Sequence, residues 1–270
     1  MARFRILHTA SALVPVLIAA PALAGPISGQ GTWESTLQAR DLTGDNVADA
    51  FYDSVLNVTW LADANANLAN ANQVPNVYAG GNLTWSAAMS WAGNLALGGY
   101  TEWRLPKMLD TGTAGCNFSF AGGTDCGYNS LTKAGATVYS ELAHLFHETL
   151  GNVGKYTTSG AVRPGVMGTD YGLTNTGNFS NFEDLITPTL ATYYWFGQEY
   201  ALNTVYAWAF VPADGGQYMF SKVDLSGQRL AIAVHEGDIG TAVTAVPEPE
   251  TWAMLLAGLG LVGLARRRRN

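Results

Sequence analysis

A histidine set beside carboxylates is the arrangement in this chain that could do acid–base or metal chemistry, and it occurs twice. Glu141, His144, His147 and Glu148 fall within one short stretch. Zinc can use such donors, but the His-Glu-x-x-His order of a zinc helix is absent. On a helix over Val138–Leu150, the apolar stripe is Val138, Leu142, Leu145, Phe146 and Leu150. The two histidines and two glutamates then face outward, where side chains are usually solvated. The second arrangement is His235-Glu236-Gly237-Asp238 at the end of a strand, where His235 with Glu236 or Asp238 could serve a secreted or periplasmic hydrolase. No Gly-x-Ser-x-Gly elbow occurs in 157–160 or 226–230 to supply a serine nucleophile. Asp41, Asp45 and Asp49, spaced by four around a Gly-Asp-Asn turn, hint at a calcium loop. An EF-hand would need a glutamate at its twelfth position, which is missing, and an Asx-rich turn explains the residues as well. The reading is a non-enzymatic protein with no metal centre and no cofactor, calcium being the alternative.

Binding is easier to support than catalysis. The Gly-, Thr- and Asn-rich segment from Asn152 to Leu190 carries Tyr156, Tyr171 and Phe179. Ring faces stack on sugar C–H groups while amides bond hydroxyls, so the segment suits a neutral glycan. The competing reading is that these rings pin the segment to the core.

Positioning these groups requires the following elements. Thr32–Leu37, Phe51–Val55 and Leu56–Leu61 read as short strands. Thr84 can cap a helix running to Leu95, with Ala88, Trp91, Ala92 and Leu95 on one face and Gly98-Gly99 ending it. Strands follow over Thr192–Phe196, Val205–Pro212, Gln217–Val223 and Leu230–His235, with Asp214-Gly215-Gly216 as a hairpin turn. In Trp103-Arg104-Leu105-Pro106, Trp103 and Leu105 alternate inward and Pro106 stops the strand. Arg104 is free to fork onto a carboxylate or loop carbonyls, a scaffold role weighed above ligand binding.

Both ends read as export signals. Arg3 and Arg5, the apolar run Ile6–Ala20 and the small-x-small Ala22-Leu23-Ala24 form a secretory signal peptide, cut before Gly25 by signal peptidase after Sec export. At the other end come Val246-Pro247-Glu248-Pro249, an apolar run from Trp252 to Ala265, and Arg266-Arg267-Arg268-Arg269. The run is about 14 residues, short of the roughly 20 of a comfortable span. The arginines suit the cytoplasmic headgroups. This order resembles the PEP-CTERM sorting signal of exopolysaccharide-producing Gram-negative bacteria. The resemblance implies recognition by an exosortase, a transient inner-membrane anchor, and a final place on the cell surface or in the extracellular matrix.

Export also bears on the cysteines and the charge. Cys116 and Cys126 flank a short polar segment, and an oxidising compartment makes a disulfide the default. Removing both ends takes six of 14 basic and two of 21 acidic residues, leaving 8 against 19 and a net charge near −11. Such a surface repels nucleic acid, and an acidic polysaccharide would need bridging cations.

A second resemblance covers residues 51–240. The Trp-rich helix, Gly99-Tyr100-Thr101-Glu102-Trp103-Arg104-Leu105-Pro106, Glu141-Leu142, Tyr194-Trp195 and Ala207-Trp208 with Gly215-Gly216 occur in the order of the Lcl C-terminal domain family. That family's closing Val-Arg is replaced here by Val234-His235. The resemblance implies an α+β, C-type-lectin-like domain with two helices and short antiparallel strands, flanked by a signal helix and a C-terminal hydrophobic helix. The expected organisation is signal peptide 1–24, extension 25–50, domain 51–240 and sorting signal 246–270. The expected function is that of an exported surface or matrix protein, with exopolysaccharide as a candidate partner.

Overall fold

The computed structural model describes residues 25–69, 77–78, 82–117, 125–127, 132–157, 159–183, 192–223 and 228–244. The expected signal helix and C-terminal apolar helix lie outside these residues. Among the described residues no helix is long and apolar enough to cross a membrane.

Strands dominate. In chain order they are β1 (Leu37–Asp41), β2 (Ala50–Asp53), β3 (Val58–Leu61), β4 (Val77–Tyr78), β5 (Asn82–Leu83), β6 (Cys116–Asn117), β7 (Cys126–Gly127), β8 (Lys133–Ala134), β9 (Thr137–Val138), β10 (Thr192–Glu199), β11 (Tyr206–Val211), β12 (Gly216–Ser221), β13 (Gln228–Leu230), β14 (Val234–Glu236) and β15 (Thr241–Ala242). The helices are α1 (Trp33–Thr36), α2 (Ala66–Ala69), α3 (Trp85–Asn94) and α4 (Glu141–His144), the last running into a π turn over Leu145–Thr149. One antiparallel sheet has the order β14-β3-β2-β1-β15, and a mixed sheet the order β13-β10-β11-β12-β7-β6.

Side-chain alternation explains how the sheets are buried. Successive residues of a strand face opposite sides. In β11, Trp208 and Phe210 enter one core while Ala207 and Ala209 enter another. In β10, Tyr194 and Phe196 take the first side and Trp195 the second. The run Leu230-Ala231-Ile232-Ala233-Val234 links the sheets and is wholly buried, its three large residues on the first side and its two alanines on the second. The strands thus form a wall covered on both faces. Large aromatics fill the side shared with α4 and the π turn. Small residues leave room on the other for α3 and for Trp103 and Leu105. Each buried aromatic removes about 150–250 Å² from water, a gross gain of roughly 4–6 kcal/mol before entropy.

Helix α3 follows its sequence signals. The Thr84 side chain accepts Ala87 N–H at 3.3 Å, and Ala87, Ala88, Trp91 and Ala92 are buried. The backbone at Gly98, with φ near 59°, passes so close to Leu42 that a Cβ would lie 1.8 Å from its carbonyl oxygen.

Three expectations are corrected. The fold is not a C-type-lectin-like α+β domain with two helices: it is mostly β-sheet, because residues 37–61 build the larger part of a five-stranded sheet. The helix expected over Val138–Leu150 is a single α turn followed by a π turn, with Leu150 N–H donating to Leu145 O at 2.8 Å. Glu141 and His144, in the α turn before it, are buried instead of outward, Glu141 against Arg104 and His144 against Thr132. Thr32–Leu37 is not one strand: it forms α1 before β1 begins. Residues 25–50 are woven into the same body, since β1 pairs β2 through Leu37↔Asp53 to Arg40↔Ala50.

Candidate functional site

Trp103-Arg104-Leu105-Pro106 welds three elements. Arg104 and Val234 exchange both backbone hydrogen bonds at 2.9 Å, and Pro106 O accepts Gly197 N–H at 2.9 Å. Trp103 and Leu105 point inward and are buried. The Arg104 guanidinium forks onto Glu141, Nη1 to Oε2 and Nη2 to Oε1, both 2.8 Å, and its Nε reaches Glu236 Oε1 at 2.9 Å. Glu141 also accepts Lys107 N–H at 2.6 Å, and Lys107 Nζ pairs with Glu236. Burial raises the Glu236 pKa, but Lys107 and Arg104 outweigh it and hold the carboxyl below its ordinary value. Burial likewise opposes the Arg104 charge, and Glu141 with Glu236 more than restores it.

His235 and its two candidate carboxylates are not brought together. His235 Nδ1 lies 2.7 Å from the Glu236 backbone oxygen, and its ring meets Trp103 edge-on at 5.6 Å. The Glu236 carboxylate belongs to Arg104 and Lys107. Asp238 takes Arg40 through Nε at 2.7 Å and Nη2 at 2.9 Å.

The helical histidines are structural in their surroundings. His144 Nδ1 lies 3.0 Å from the Thr132 hydroxyl in the interior, and burial lowers its pKa. His147 lies between two carbonyls, Nε2 2.9 Å from Gly215 O and Nδ1 3.3 Å from Asn152 O. Burial is the chief reason that its pKa falls to about 4. Neither histidine joins a group of three metal-capable side chains among the described residues.

Such a group does form at Asp41, Asp45 and Asp49, with carboxylate oxygens within 4.8 Å of one another. Much of its capacity goes to the loop itself. Asp41 Oδ1 accepts Thr43 and Gly44 N–H at 3.0 and 2.6 Å, and its Oδ2 accepts Asn46 N–H at 2.6 Å. Asp49 Oδ2 accepts Leu42 N–H, Thr43 N–H and the Thr43 hydroxyl at 2.9, 3.1 and 3.0 Å. Burial pushes the Asp41 pKa up, but the backbone amides outweigh it, and the carboxyl stays below its ordinary value. The turn sets Asn46 in the left-handed region, φ 64°, which asparagine tolerates. Its side chain grips the last described residue: Thr244 N–H and Oγ1 both donate to Asn46 Oδ1 at 2.9 Å, and Asn46 Nδ2 donates to Thr244 O at 3.1 Å.

The aromatic segment divides. Phe179 is in the core, edge-on to Phe51 at 5.1 Å and Phe182 at 6.0 Å. Tyr156 and Tyr171 are half-buried, and Lys155 Nζ sits 5.7 Å from the Tyr156 ring centre. Cys116 and Cys126 form the disulfide and pair β6 with β7.

Sequence reasoning missed the amides that fasten this segment. Asn152 Oδ1 accepts Thr174 N–H, Thr174 Oγ1–H and Asn175 N–H at 2.9, 2.9 and 2.8 Å, and its Nδ2 donates to Asn175 O at 2.8 Å. Asn175 in turn donates to Leu150 O at 2.8 Å and accepts Ile27 N–H at 2.9 Å. Nothing in Gly151-Asn152 beyond a helix stop signals this role. Asp110 was also missed; it accepts Trp208 Nε1–H and Ala201 N–H, both at 2.7 Å.

A family model of the PEP-CTERM protein-sorting motif matches residues 245–269. No curated protein and no solved structure matches the chain. The Lcl C-terminal domain expected over residues 51–240 is not confirmed by these comparisons. The sorting match begins immediately after Thr244, so the described body leads straight into a PEP-CTERM signal, which marks an exported chain with a C-terminal anchor before processing and an exosortase as its processing partner.

Proposed function

We propose that this chain is a non-enzymatic surface or extracellular-matrix protein, exported by the Sec route, freed of its signal by signal peptidase, and cut from its anchor by exosortase. The observation that carries the reading is the sorting motif over residues 245–269, set directly behind a folded body. The chemistry of that body is in keeping with it. Glu141 and Glu236 are engaged by Arg104, Asp238 by Arg40, and Cys116 by Cys126. His144 and His147 are set among buried partners with their protonation suppressed.

The ligand class we propose is a neutral glycan of the exopolysaccharide type, taken by Tyr156 and Tyr171 with neighbouring amides and hydroxyls. Both rings keep exposed surface, and a net charge near −11 after processing disfavours an acidic polymer. The test is saturable retention of the mature protein on the host's own extracellular polysaccharide. Tyr156→Ala with Tyr171→Ala should reduce retention about tenfold or more, as expected for losing two stacking faces of 0.5–1.5 kcal/mol each together with their buried area. Equal retention of wild type and double variant overturns the assignment of the rings. Absence of retention overturns glycan binding. Intact mass from native culture tests the processing: an end near Pro247 is expected, and a full-length C-terminus contradicts it.

A further inference from the structure

The last described strand is held by backbone pairing and polar side-chain contacts, with Val243 half-buried beside them. β15 pairs β1 through Arg40↔Ala242 and Asp41↔Thr241, at the edge of its sheet. Thr241, Ala242 and Thr244 are exposed, so little apolar burial secures it. Val243 N–H reaches Ala39 O at 3.4 Å and the Thr241 hydroxyl reaches Asp41 O at 3.5 Å, and shorter than these are the three hydrogen bonds between Asn46 and Thr244, from a loop that Asp41 and Asp49 pre-shape. Covalent geometry then limits the sorting signal. From Thr244 to Pro247 the chain spans at most about 11 Å, and from Thr244 to Trp252 about 29 Å, at roughly 3.6 Å per residue. The Pro-Glu-Pro motif therefore starts within a short reach of the Asn46 side chain, whatever path the tail takes.

We infer that β15 and Asn46 form a latch that positions the sorting signal and restrains its processing. The inference rests on the reading of residues 245–269 as an exosortase substrate. A peptidase takes its substrate extended, with several residues on each side of the scissile bond. With the latch closed, the residues before Ala245 are committed to the sheet edge. Opening it frees residues 241–244 and lets the signal extend fully into the peptidase. An exposed edge strand with few apolar contacts opens locally at low cost, well below global unfolding. Asn46 is thus a positioning residue for the cut. The cut hydrolyses one peptide bond within the sorting signal, consuming one water and leaving a new carboxylate on the body.

The test uses Asn46→Gly, which keeps the left-handed backbone and removes the amide. Conversion of the full chain is followed by pulse-chase and intact mass in a host with its exosortase. The same measurement is made on chains with a ten-residue Gly/Ser spacer after Thr244. Loss of the three bonds should speed conversion about five- to tenfold. The spacer should bring wild type to the same rate and abolish the difference between the pair. Amide exchange at Val243 and Thr244 should accelerate in Asn46→Gly while exchange at β10 and β11 stays unchanged. Equal conversion of wild type and Asn46→Gly without the spacer overturns the latch, as does unchanged exchange at Thr244. No conversion in any chain, spacer included, overturns the processing reading itself, and the latch with it. Conversion in the spacer chains alone overturns the latch as well, because wild type and Asn46→Gly without the spacer then convert equally.

Discussion

Removing the Glu141 carboxylate should be among the most damaging single changes away from the aromatic core. Its side chain is 7% exposed and receives both arms of Arg104 and the Lys107 amide. Breaking a buried pair from one side costs about 3–5 kcal/mol, since the partner charge stays behind. Here Arg104 keeps Glu236 and is 20% exposed, which lowers the figure for Glu141→Ala to about 2–3 kcal/mol. Arg104→Ala leaves Glu141 buried with one backbone donor and should cost about 3–4 kcal/mol. The double variant should cost less than the sum, with a coupling of about 2 kcal/mol. For a body of this size, that is a fall in Tm of roughly 5–10 °C for Glu141→Ala. Arg104→Lys keeps the charge but not the fork and should cost about 1–2 kcal/mol. Urea unfolding followed by tryptophan fluorescence measures all four. A coupling below about 0.5 kcal/mol, the range of exposed pairs, would refute the claim that this fork is a buried, mutually dependent contact.

Acid should weaken the fold through His147. Its pKa is depressed to about 4 in the folded chain from an ordinary value of 6.5, so between these the unfolded chain binds more protons. Stability is then full above about pH 6.5, falls as pH drops towards 4, and loses up to about 3 kcal/mol from this group. Burial raises the Asp53 pKa, which acts in the opposite sense at the acid end. His147→Asn should flatten the pH 4–6.5 slope of urea midpoints, and an unchanged slope would exclude His147 as its source. Asn152→Ala should cost about 3 kcal/mol or more, because several buried partners are left unsatisfied at once; a loss under 1 kcal/mol would contradict the hub. On the Asx-turn reading of Asp41, Asp45 and Asp49, millimolar calcium should leave Tm within about 1 °C. An upward shift abolished by Asp45→Asn would assign the loop to the cation instead.

What the sequence made legible follows from the range of each signal. Thr84 capping α3 and the Asp214-Gly215 turn between β11 and β12 depend on neighbours a few residues away, and both are present. The β10, β11 and β12 strands show their alternation directly. The π turn was not legible, because apolar spacing over Val138–Leu150 fits a regular helix and only packing decides otherwise. Nor were the Glu141 and His144 interiors, whose partners Arg104 and Thr132 are distant in sequence or in another element. The lectin-like expectation failed on the same ground: motif order reports nearby chain, whereas sheet order depends on which strands meet. Of the aromatic segment, Phe179 was indistinguishable from Tyr156 by type, though one sits against Phe51 and the other beside solvent.

The unequal faces of the strand wall set which substitutions each side of it can take. Ala207, Ala209, Ala231 and Ala233 are fully buried in the same cluster as the inner face of α3, so added methyl groups there would push layers apart. On the opposite face, rings can exchange for other rings of similar bulk. Side-chain volume at those four positions is therefore fixed by the packing, while on the ring face bulk matters more than which ring supplies it.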